Sequence, residues 1–157
     1  MTYEVNSIGK IRNTEDGTYL ELEPQYIPAL QALDGFSHIN VVWWFSDCDH
    51  MDARSTLTTE QPYKKAPSIM GIFATRSPMR PNPIALSTVE ILDIDYQKGL
   101  IQIAYIDAHD KTPILDIKPY TPSLDRVETP EVPAWCQHWP KSLEESADFE
   151  WENEFNF

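Results

Sequence analysis

The sequence predicts an all-β fold, a small single β-barrel with one short helix and a long irregular segment at the C-terminal end. Thirteen prolines against five glycines, spread along the chain, disfavour long helices and favour short strands joined by fixed turns. Several segments are rich in β-branched and aromatic residues, and a closed barrel removes the open edges that such strands otherwise expose. A length of 157 residues suits one domain with its own core.

The first predicted element is a hairpin with strands at residues 4–11 and 18–23. Asp16 and Gly17 form an Asp-Gly step, which is a strong turn signal, and polar and apolar residues alternate in the strand that follows it. A short helix is predicted over residues 24–33, where apolar residues recur at helical spacing and an internal proline limits the length.

The middle of the chain alternates between strands and irregular segments. Residues 36–45, FSHINVVWWF, predict a strand that is apolar on both faces, either deep in a sheet or covered by a partner subunit. Residues 46–67 are polar and predict a long loop, which in a compact domain is often functional. Further strands are predicted at residues 68–75, 84–96 and 99–106.

The C-terminal part of the chain is punctuated by proline. We expect a barrel domain over residues 1–140 and an acidic tail over residues 141–157. The last 14 residues contain six acidic side chains and no basic one, which is typical of a solvated tail. Trp151, Phe155 and Phe157 are the candidate anchors of this tail.

The charge balance limits the partners of the protein. Twelve basic and 25 acidic residues give a net charge of −13 at pH 7, so a nucleic acid could be held only by a local basic patch. The chain opens without a basic region and an apolar run, and no stretch approaches about 20 apolar residues, so we expect a cytoplasmic protein. Two cysteines do not make the disulfide framework of small secreted domains.

A basic segment interrupts this acidic chain. Residues 62–85 contain no acidic side chain but four of the twelve basic ones, namely Lys64, Lys65, Arg76 and Arg80. Three prolines within residues 78–83 stiffen the loop, so less ordering entropy is lost when its guanidinium groups bind a carboxylate, a phosphate or a base edge. The equally favoured alternative is a rigid connection between strands with both arginines in ion pairs.

Residues 107–120 form a second segment with chemistry-bearing side chains, predicted as a turn and a short strand. It contains three aspartates, a histidine, two lysines and a tyrosine. A carboxylate there can hold an amine or a ribose hydroxyl, and a tyrosine or aspartate can handle a proton. The alternative is a turn stabilised by aspartate side chains, with Asp116 and Lys118 paired on one strand face.

Four motifs follow one another along the chain: SIGKI at 7–11, LDGFSHI at 33–39, GIFATRSPMRPNPIALS at 71–87 and TPILDIKPY at 112–120. In this order they resemble the TrmO (TsaA-like) family, whose members are S-adenosylmethionine-dependent methyltransferases acting on N6 of threonylcarbamoyladenosine beside the tRNA anticodon. The resemblance implies a small β-barrel, a homodimer with cofactor pockets near the subunit interface, and tRNA as the substrate.

The resemblance also implies roles for individual residues. The cofactor pocket is expected at Ser46, Asp47, Arg76, Asn82, Leu86, Asp107, Ala108, His109 and Asp110. The candidate bases for the proton of the acceptor are Asp110, Asp116 and Tyr120. The basic side chains expected to hold the substrate are Lys64, Lys65, Arg80 and Lys118. The sulfonium carries a reactive methyl group, so the protein has to align the acceptor and exclude water.

The sequence departs from the family pattern at several positions. Residues 12–17 replace a longer basic, glycine-rich loop, Ser46 and Asp47 stand where a histidine is usual, and Lys111 stands at a turn glycine. We expect no extra C-terminal domain, and the net charge of −13 opposes tRNA docking. A small-molecule methyltransferase and a non-catalytic module that binds S-adenosylmethionine or a nucleotide therefore remain alternatives.

Two Cys-x-His steps present a possible metal site. They comprise Cys48 with His50 and Cys136 with His138. The one-residue spacing differs from the usual zinc knuckle, and the second step lies among tryptophans and prolines that are typical of packing. We therefore expect no metal, and we expect the tryptophans to cover the barrel or a partner subunit.

Overall fold

The computed structural model describes residues 1–157 and contains eight strands. They are β1 (Gly9–Thr14), β2 (Gly17–Leu22), β3 (His38–Trp44), β4 (Thr58–Glu60), β5 (Ile69–Gly71), β6 (Ile84–Asp95), β7 (Leu100–Ile103) and β8 (Pro113–Pro119). Six of them close an antiparallel barrel in the order β1-β2-β7-β6-β3-β8, while β4 and β5 pair as a separate two-stranded sheet. The prediction of a β-barrel is confirmed.

The core lies inside the barrel because its strands alternate in burial. In β3, Ile39, Val41 and Trp43 are buried while the residues between them are partly exposed, so the strand is not buried on both faces within one chain, and a partner subunit on the outer face stays a prediction. The indole Nε1 of Trp43 donates a hydrogen bond of 3.0 Å to Ser87 Oγ, which satisfies its buried polar atom. The hydrophobic core cluster contains 13 buried residues, of which 11 belong to strands of the barrel, while Leu30 comes from the 3-10 helix and Ile106 from the β7–β8 connection.

The first hairpin has the predicted turn, but its first strand begins at Gly9 rather than at residue 4. A Cβ atom at Gly9 would collide with the carbonyl oxygen of Glu21, so only glycine allows β1 to approach β2 this closely. Gly17 has a φ of 140° and completes the turn.

The helices are short. The predicted helix is a 3-10 helix over Pro24–Leu30, and single turns of α-helix form at α1 (Met51–Arg54), α2 (Pro122–Asp125) and α3 (Leu143–Ala147). The segment predicted as a long loop over residues 46–67 contains α1 and β4, because local hydrogen bonds order it. No helix has the length and apolar character needed to cross a membrane.

The strand predicted over residues 68–75 is the largest misassignment in the barrel. Only Ile69–Gly71 is extended, it pairs with β4 outside the barrel, and Ile72–Ala74 forms a 3-10 turn. The sixth barrel strand is instead β8, from the segment predicted as a turn and a short strand. It pairs with β1 on one side and β3 on the other, which closes the sheet.

The segment over residues 141–157 packs against the domain. Phe155 forms an isolated β-bridge with Tyr63, and Asn156 N donates to Pro62 O over 3.0 Å. The predicted anchors join one aromatic cluster, in which Trp139 lies 4.9 Å from Tyr63 and 5.2 Å from Trp151, centroid to centroid. The tail is therefore folded onto the barrel domain, and a domain boundary at residue 140 stays a prediction.

Candidate functional site

The antiparallel order places three chain connections at one end of the barrel, which we call the rim. These are the β1–β2 turn, the long β3–β6 connection over residues 45–83 and the β7–β8 connection over residues 104–112. Eight of the nine residues predicted to hold the cofactor belong to the rim connections, and the ninth, Leu86, lies near the start of β6. The structure therefore brings these residues to one end of the molecule.

Side-chain contacts hold the β7–β8 connection in place. The imidazole Nδ1 of His109 lies 2.9 Å from Asp47 Oδ2, and both side chains are more than three-quarters exposed. The backbone N–H of Asn13 donates to Asp110 Oδ1 over 3.0 Å, and Asn13 Nδ2 donates to the carbonyl of Ala108 over 2.9 Å. Two hydrogen bonds of Asn13, at the end of β1, thus hold the turn in which cofactor residues are predicted.

Lys111 adopts a left-handed backbone conformation, in agreement with the expectation of a turn glycine at this position. Its φ is 67°, in the left-handed region that favours glycine, and its N–H donates to Ile11 O over 2.7 Å. Thr112, the next residue, is buried and leads into β8. A lysine at this position therefore places strain on the backbone, but the turn into β8 still forms.

The two arginines of the basic segment differ in their contacts. Arg76 is exposed and makes one hydrogen bond, from Nη1 to the carbonyl of Leu86 at 3.2 Å. Arg80 is partly buried and donates to three carbonyls of its own loop, on Ile72, Thr75 and Ser77, at 2.7–3.1 Å. Neither forms an ion pair, so the structure differs from the ion-pair alternative. Arg80 braces the loop, while Arg76 keeps free donors, and a substrate contact for Arg80 stays a prediction.

The three candidate bases do not meet. Asp116 Oδ2 lies 2.7 Å from Lys118 Nζ, and this hydrogen bond raises the pKa of Lys118 above its ordinary value of 10.5. Tyr120 follows the far end of β8, which is about 20 Å long, and its ring packs edge-on against His38. Asp110 alone lies at the rim, and its Oδ2 makes no hydrogen bond within the chain.

The remaining predicted residues lie at different parts of the surface. Asn82 is exposed at the rim, and its side-chain amide makes no hydrogen bond within the chain. Lys64 and Lys65 are exposed beside the C-terminal segment, where Lys64 N donates to Glu154 O over 3.0 Å. Lys118 belongs to β8, where its Nζ pairs with Asp116, so it lies on a barrel strand while Lys64 and Lys65 lie in the connection that contacts the C-terminal segment.

A large cavity of about 1220 Å³ lies against the outer wall of the barrel. Arg76 and Asp107 are the two predicted cofactor residues in its lining. The barrel side includes Thr88 and Glu90 of β6, and the opposite side is formed by residues 135–155. A second cavity of about 1130 Å³ also has Arg76 and Asp107 in its lining. These two residues therefore line both cavities.

Several lining residues were not singled out from the sequence. Tyr63, Phe73, Tyr105 and Glu90 come from separate parts of the chain. The alternation of β6 does indicate that Glu90 points outwards. No sequence pattern places the three aromatic residues beside it, because their approach depends on long-range packing.

The Cys-x-His residues make contacts of other kinds. His50 Nδ1 accepts a hydrogen bond from Ala53 N at the start of α1, and His138 Nε2 lies 2.9 Å from Glu154 Oε2. Cys136 is buried, and this burial raises the pKa of its thiol above the ordinary value of 9.0. No group of three or more potential ligands gathers anywhere in the structure.

Comparisons with known proteins identify a family model and several relatives that the chain resembles. Residues 9–126 match the model of the tRNA-methyltransferase O N-terminal domain. A probable S-adenosyl-L-methionine-binding protein from Methanocaldococcus jannaschii is 37% identical over 123 residues, which cover 78% of this chain and 96% of that protein. The tRNA (adenine(37)-N6)-methyltransferase of Escherichia coli is 32% identical over 116 residues, which cover 73% of this chain and 48% of the enzyme.

A solved structure shares the fold. The crystal structure of TrmO from P. aeruginosa superposes with a TM-score of 0.65 at 29% identity, covering 85% of this chain and 62% of that one. The chain thus spans less than two thirds of the solved TrmO protein and about half of the E. coli enzyme. The match of the N-terminal domain model over most of its length shows that this chain belongs to the tRNA-methyltransferase O (TrmO) family.

Proposed function

We propose that this protein methylates N6 of threonylcarbamoyladenosine in tRNA, with S-adenosylmethionine as the methyl donor. The class, an S-adenosylmethionine-dependent methyltransferase of the TrmO family, follows from the family match and from relatives that carry these names. The observation that carries the proposal further is the convergence of the predicted cofactor residues at the rim, beside a cavity large enough for an acceptor base.

The donor set at the rim fits S-adenosylmethionine. The carboxylates of Asp47 and Asp107 suit its ribose hydroxyls and its amino group, and the free donors of Arg76 suit its carboxylate. Leu86, which is half exposed, offers an apolar surface to a flat ring. The chemistry supplied by this cofactor when bound is an electrophilic methyl group on a positively charged sulfur.

The residues of the chain have two tasks in such a transfer. The rim connections, held by Asn13 and by the contact of Asp47 with His109, orient the two reactants and exclude water. Asp110 is the candidate base at the rim, and its free Oδ2 can accept the proton that N6 of the acceptor loses.

A homodimer is part of the proposal. The outer face beside Arg76 is apolar, since Ile84 and Leu86 are 40% and 51% exposed and lie opposite Trp44 and Val42 in the sheet register. Most of the predicted cofactor residues line none of the large cavities, so a second copy on this face would supply the missing wall. Analytical ultracentrifugation of Leu86→Arg against wild type tests this face.

A small-molecule acceptor is the second candidate. The six acidic residues near the chain end lie in the segment that packs beside Lys64 and Lys65, and this placement opposes the approach of a polyanion. The large cavity has ample room for a small molecule.

The test is transfer of a labelled methyl group to tRNA that carries threonylcarbamoyladenosine, compared with the same tRNA carrying unmodified adenosine. We expect N6-methylation of the first RNA only, with a rate that falls as salt rises. Replacement of Lys64 and Lys65 together by alanine should impair transfer to RNA and leave cofactor binding unchanged. The matched control replaces Lys10 and Lys98 by alanine, because both are surface lysines in ion pairs elsewhere on the barrel. Absence of RNA product, with salt-independent transfer to a small acceptor, would exclude the tRNA proposal.

A further inference from the structure

One wall of the large cavity is built by chain outside the family match. The matched domain ends at residue 126, whereas Trp139, Ala147 and Trp151 line the cavity from the segment that follows. The opposite wall is the outer face of β6 with the β7–β8 connection. Without the C-terminal segment, the face at Arg76 and Asp107 would be open on this side.

The C-terminal wall is held by several specific contacts. Glu154 Oε2 accepts a hydrogen bond of 3.1 Å from Trp139 Nε1 and lies 2.9 Å from His138 Nε2. The backbone of the same residue accepts from Lys64 N, and Trp151 Nε1 donates to Ser146 O over 3.2 Å. The wall is thus organised before any ligand enters, which lowers the entropy lost on binding.

The cavity has a lining suited to a flat aromatic ring. Phe73 and Tyr105 are 82% and 69% exposed, so their rings are available to a ligand rather than used in the core. The carboxylates of Glu90 and Glu144 in the lining can accept hydrogen bonds from amino groups, and they repel phosphates. The one guanidinium in the lining is Arg76, at the end shared with the predicted cofactor site.

We propose that this cavity is the acceptor pocket, which takes the unstacked nucleobase of an RNA loop between the barrel wall and the C-terminal segment. The phosphates remain outside, where Lys64 and Lys65 follow Tyr63 of the lining. This inference rests on the proposed function and names the part of the chain that recognises the base. The segment beyond the family domain then determines which base is accepted.

Ala147→Phe is the variant that tests the pocket. Ala147 is exposed and lines the cavity, so a phenyl ring there fills the space without removing a contact of the core. The matched control is Ala134→Phe, since Ala134 is exposed in the same segment but does not line the cavity. Binding is measured, without cofactor, by fluorescence anisotropy of two anticodon stem-loop RNAs. One carries threonylcarbamoyladenosine, and the other has an abasic site at that position.

We expect wild type and Ala134→Phe to prefer the base-containing RNA at least tenfold, and Ala147→Phe to lose that preference while it binds the abasic RNA as wild type does. Tyr105→Ala removes an exposed aromatic ring from the cavity and should reduce the same preference. Its control is Tyr3→Ala, because Tyr3 is 80% exposed and lines none of these cavities. Folding is checked by thermal melting, and cofactor binding by calorimetry.

If both Ala147→Phe and Tyr105→Ala kept the wild-type preference for the base-containing RNA, the assignment of this cavity as the acceptor pocket would be refuted. Methylation of tRNA by those variants at the wild-type rate would leave the proposed function intact and would place the acceptor elsewhere. A wild-type protein that binds the modified base but transfers no methyl group would retain the pocket and refute the proposed activity.

Discussion

The imidazole Nδ1 of His109 lies 2.9 Å from the carboxylate Oδ2 of Asp47, which joins the connection before β8 to the turn after β3. The two residues are 62 positions apart in the sequence and meet only because β3 and β8 are antiparallel neighbours in the barrel. Their contact is highly exposed, so it positions two rim connections rather than stabilising the fold.

Asp47→Ala should weaken binding of S-adenosylmethionine about tenfold, because it removes both a candidate ligand and the partner of His109. The melting temperature should stay close to that of wild type, since the side chain is exposed. Calorimetry and thermal melting measure the two quantities, with Asp52→Asn, an exposed change in α1, as the control. Wild-type affinity in the variant would remove Asp47 from the site.

Arg76→Ala should reduce cofactor affinity by about 1.5–3 kcal/mol if the guanidinium makes a charge-assisted hydrogen bond to the cofactor. Arg76 donates only one hydrogen bond within the protein, to Leu86 O, so the free energy of unfolding should change little in this variant. Calorimetric titration is the measurement. An unchanged dissociation constant would contradict the role assigned to Arg76.

Arg80→Ala should lower the stability of the protein rather than its affinity for the cofactor. The guanidinium satisfies three carbonyls of its loop, so its removal should lower the free energy of unfolding by about 1–3 kcal/mol. Arg80→Lys should recover only part of this loss, because an ammonium lacks the planar fork that reaches several acceptors. Urea unfolding of both variants checks the prediction, and a stable alanine variant with impaired RNA binding would instead support a substrate contact.

Lys111→Gly should raise the free energy of unfolding by up to about 1 kcal/mol, because glycine adopts a φ of 67° without steric cost. The entropy that glycine adds to the unfolded chain offsets part of this gain. Ala32→Gly, at a φ of 65°, is the comparison with the same strain outside the rim. A lower melting temperature in Lys111→Gly would show that contacts of the lysine side chain stabilise the fold by more than the strained backbone destabilises it.

The docking of the C-terminal segment should depend on pH through Glu154. Hydrogen bonds from His138 and Trp139, and the nearby charges of His138 and Lys65, lower the pKa of Glu154 below its ordinary value of 4.5. A carboxylate with a lowered pKa contributes stability above its unfolded pKa and loses it as pH falls through the folded pKa. The segment should therefore loosen only below about pH 4.5.

Tryptophan fluorescence measured across this acid range detects the loosening as a red shift, because Trp139 and Trp151 become exposed to water. Glu154→Gln should show red-shifted emission already at neutral pH and no further step in acid. Glu152→Gln, which changes an exposed neighbour, is the matched control and should behave as wild type. A full acid step in Glu154→Gln would assign the transition to another group.

Local patterns in the sequence were sufficient for most of the barrel. The hairpin at Gly17 and the strands β3, β6 and β7 were predicted because alternation and turn residues act over a few positions. The residues expected to hold the cofactor were predicted from the motifs of the family, and the domain match confirms the family itself.

The sequence by itself therefore determined the family, the barrel class and the residues expected around the cofactor. The tertiary structure alone decided that Ile69–Gly71 lies outside the barrel, that Tyr120 stands at the far end of β8 from Asp110, and that the acidic segment packs on Tyr63. Each of these outcomes depends on contacts between residues distant in the chain. Strand pairing and aromatic packing at such separations are selected by the whole fold, so no local pattern specifies them.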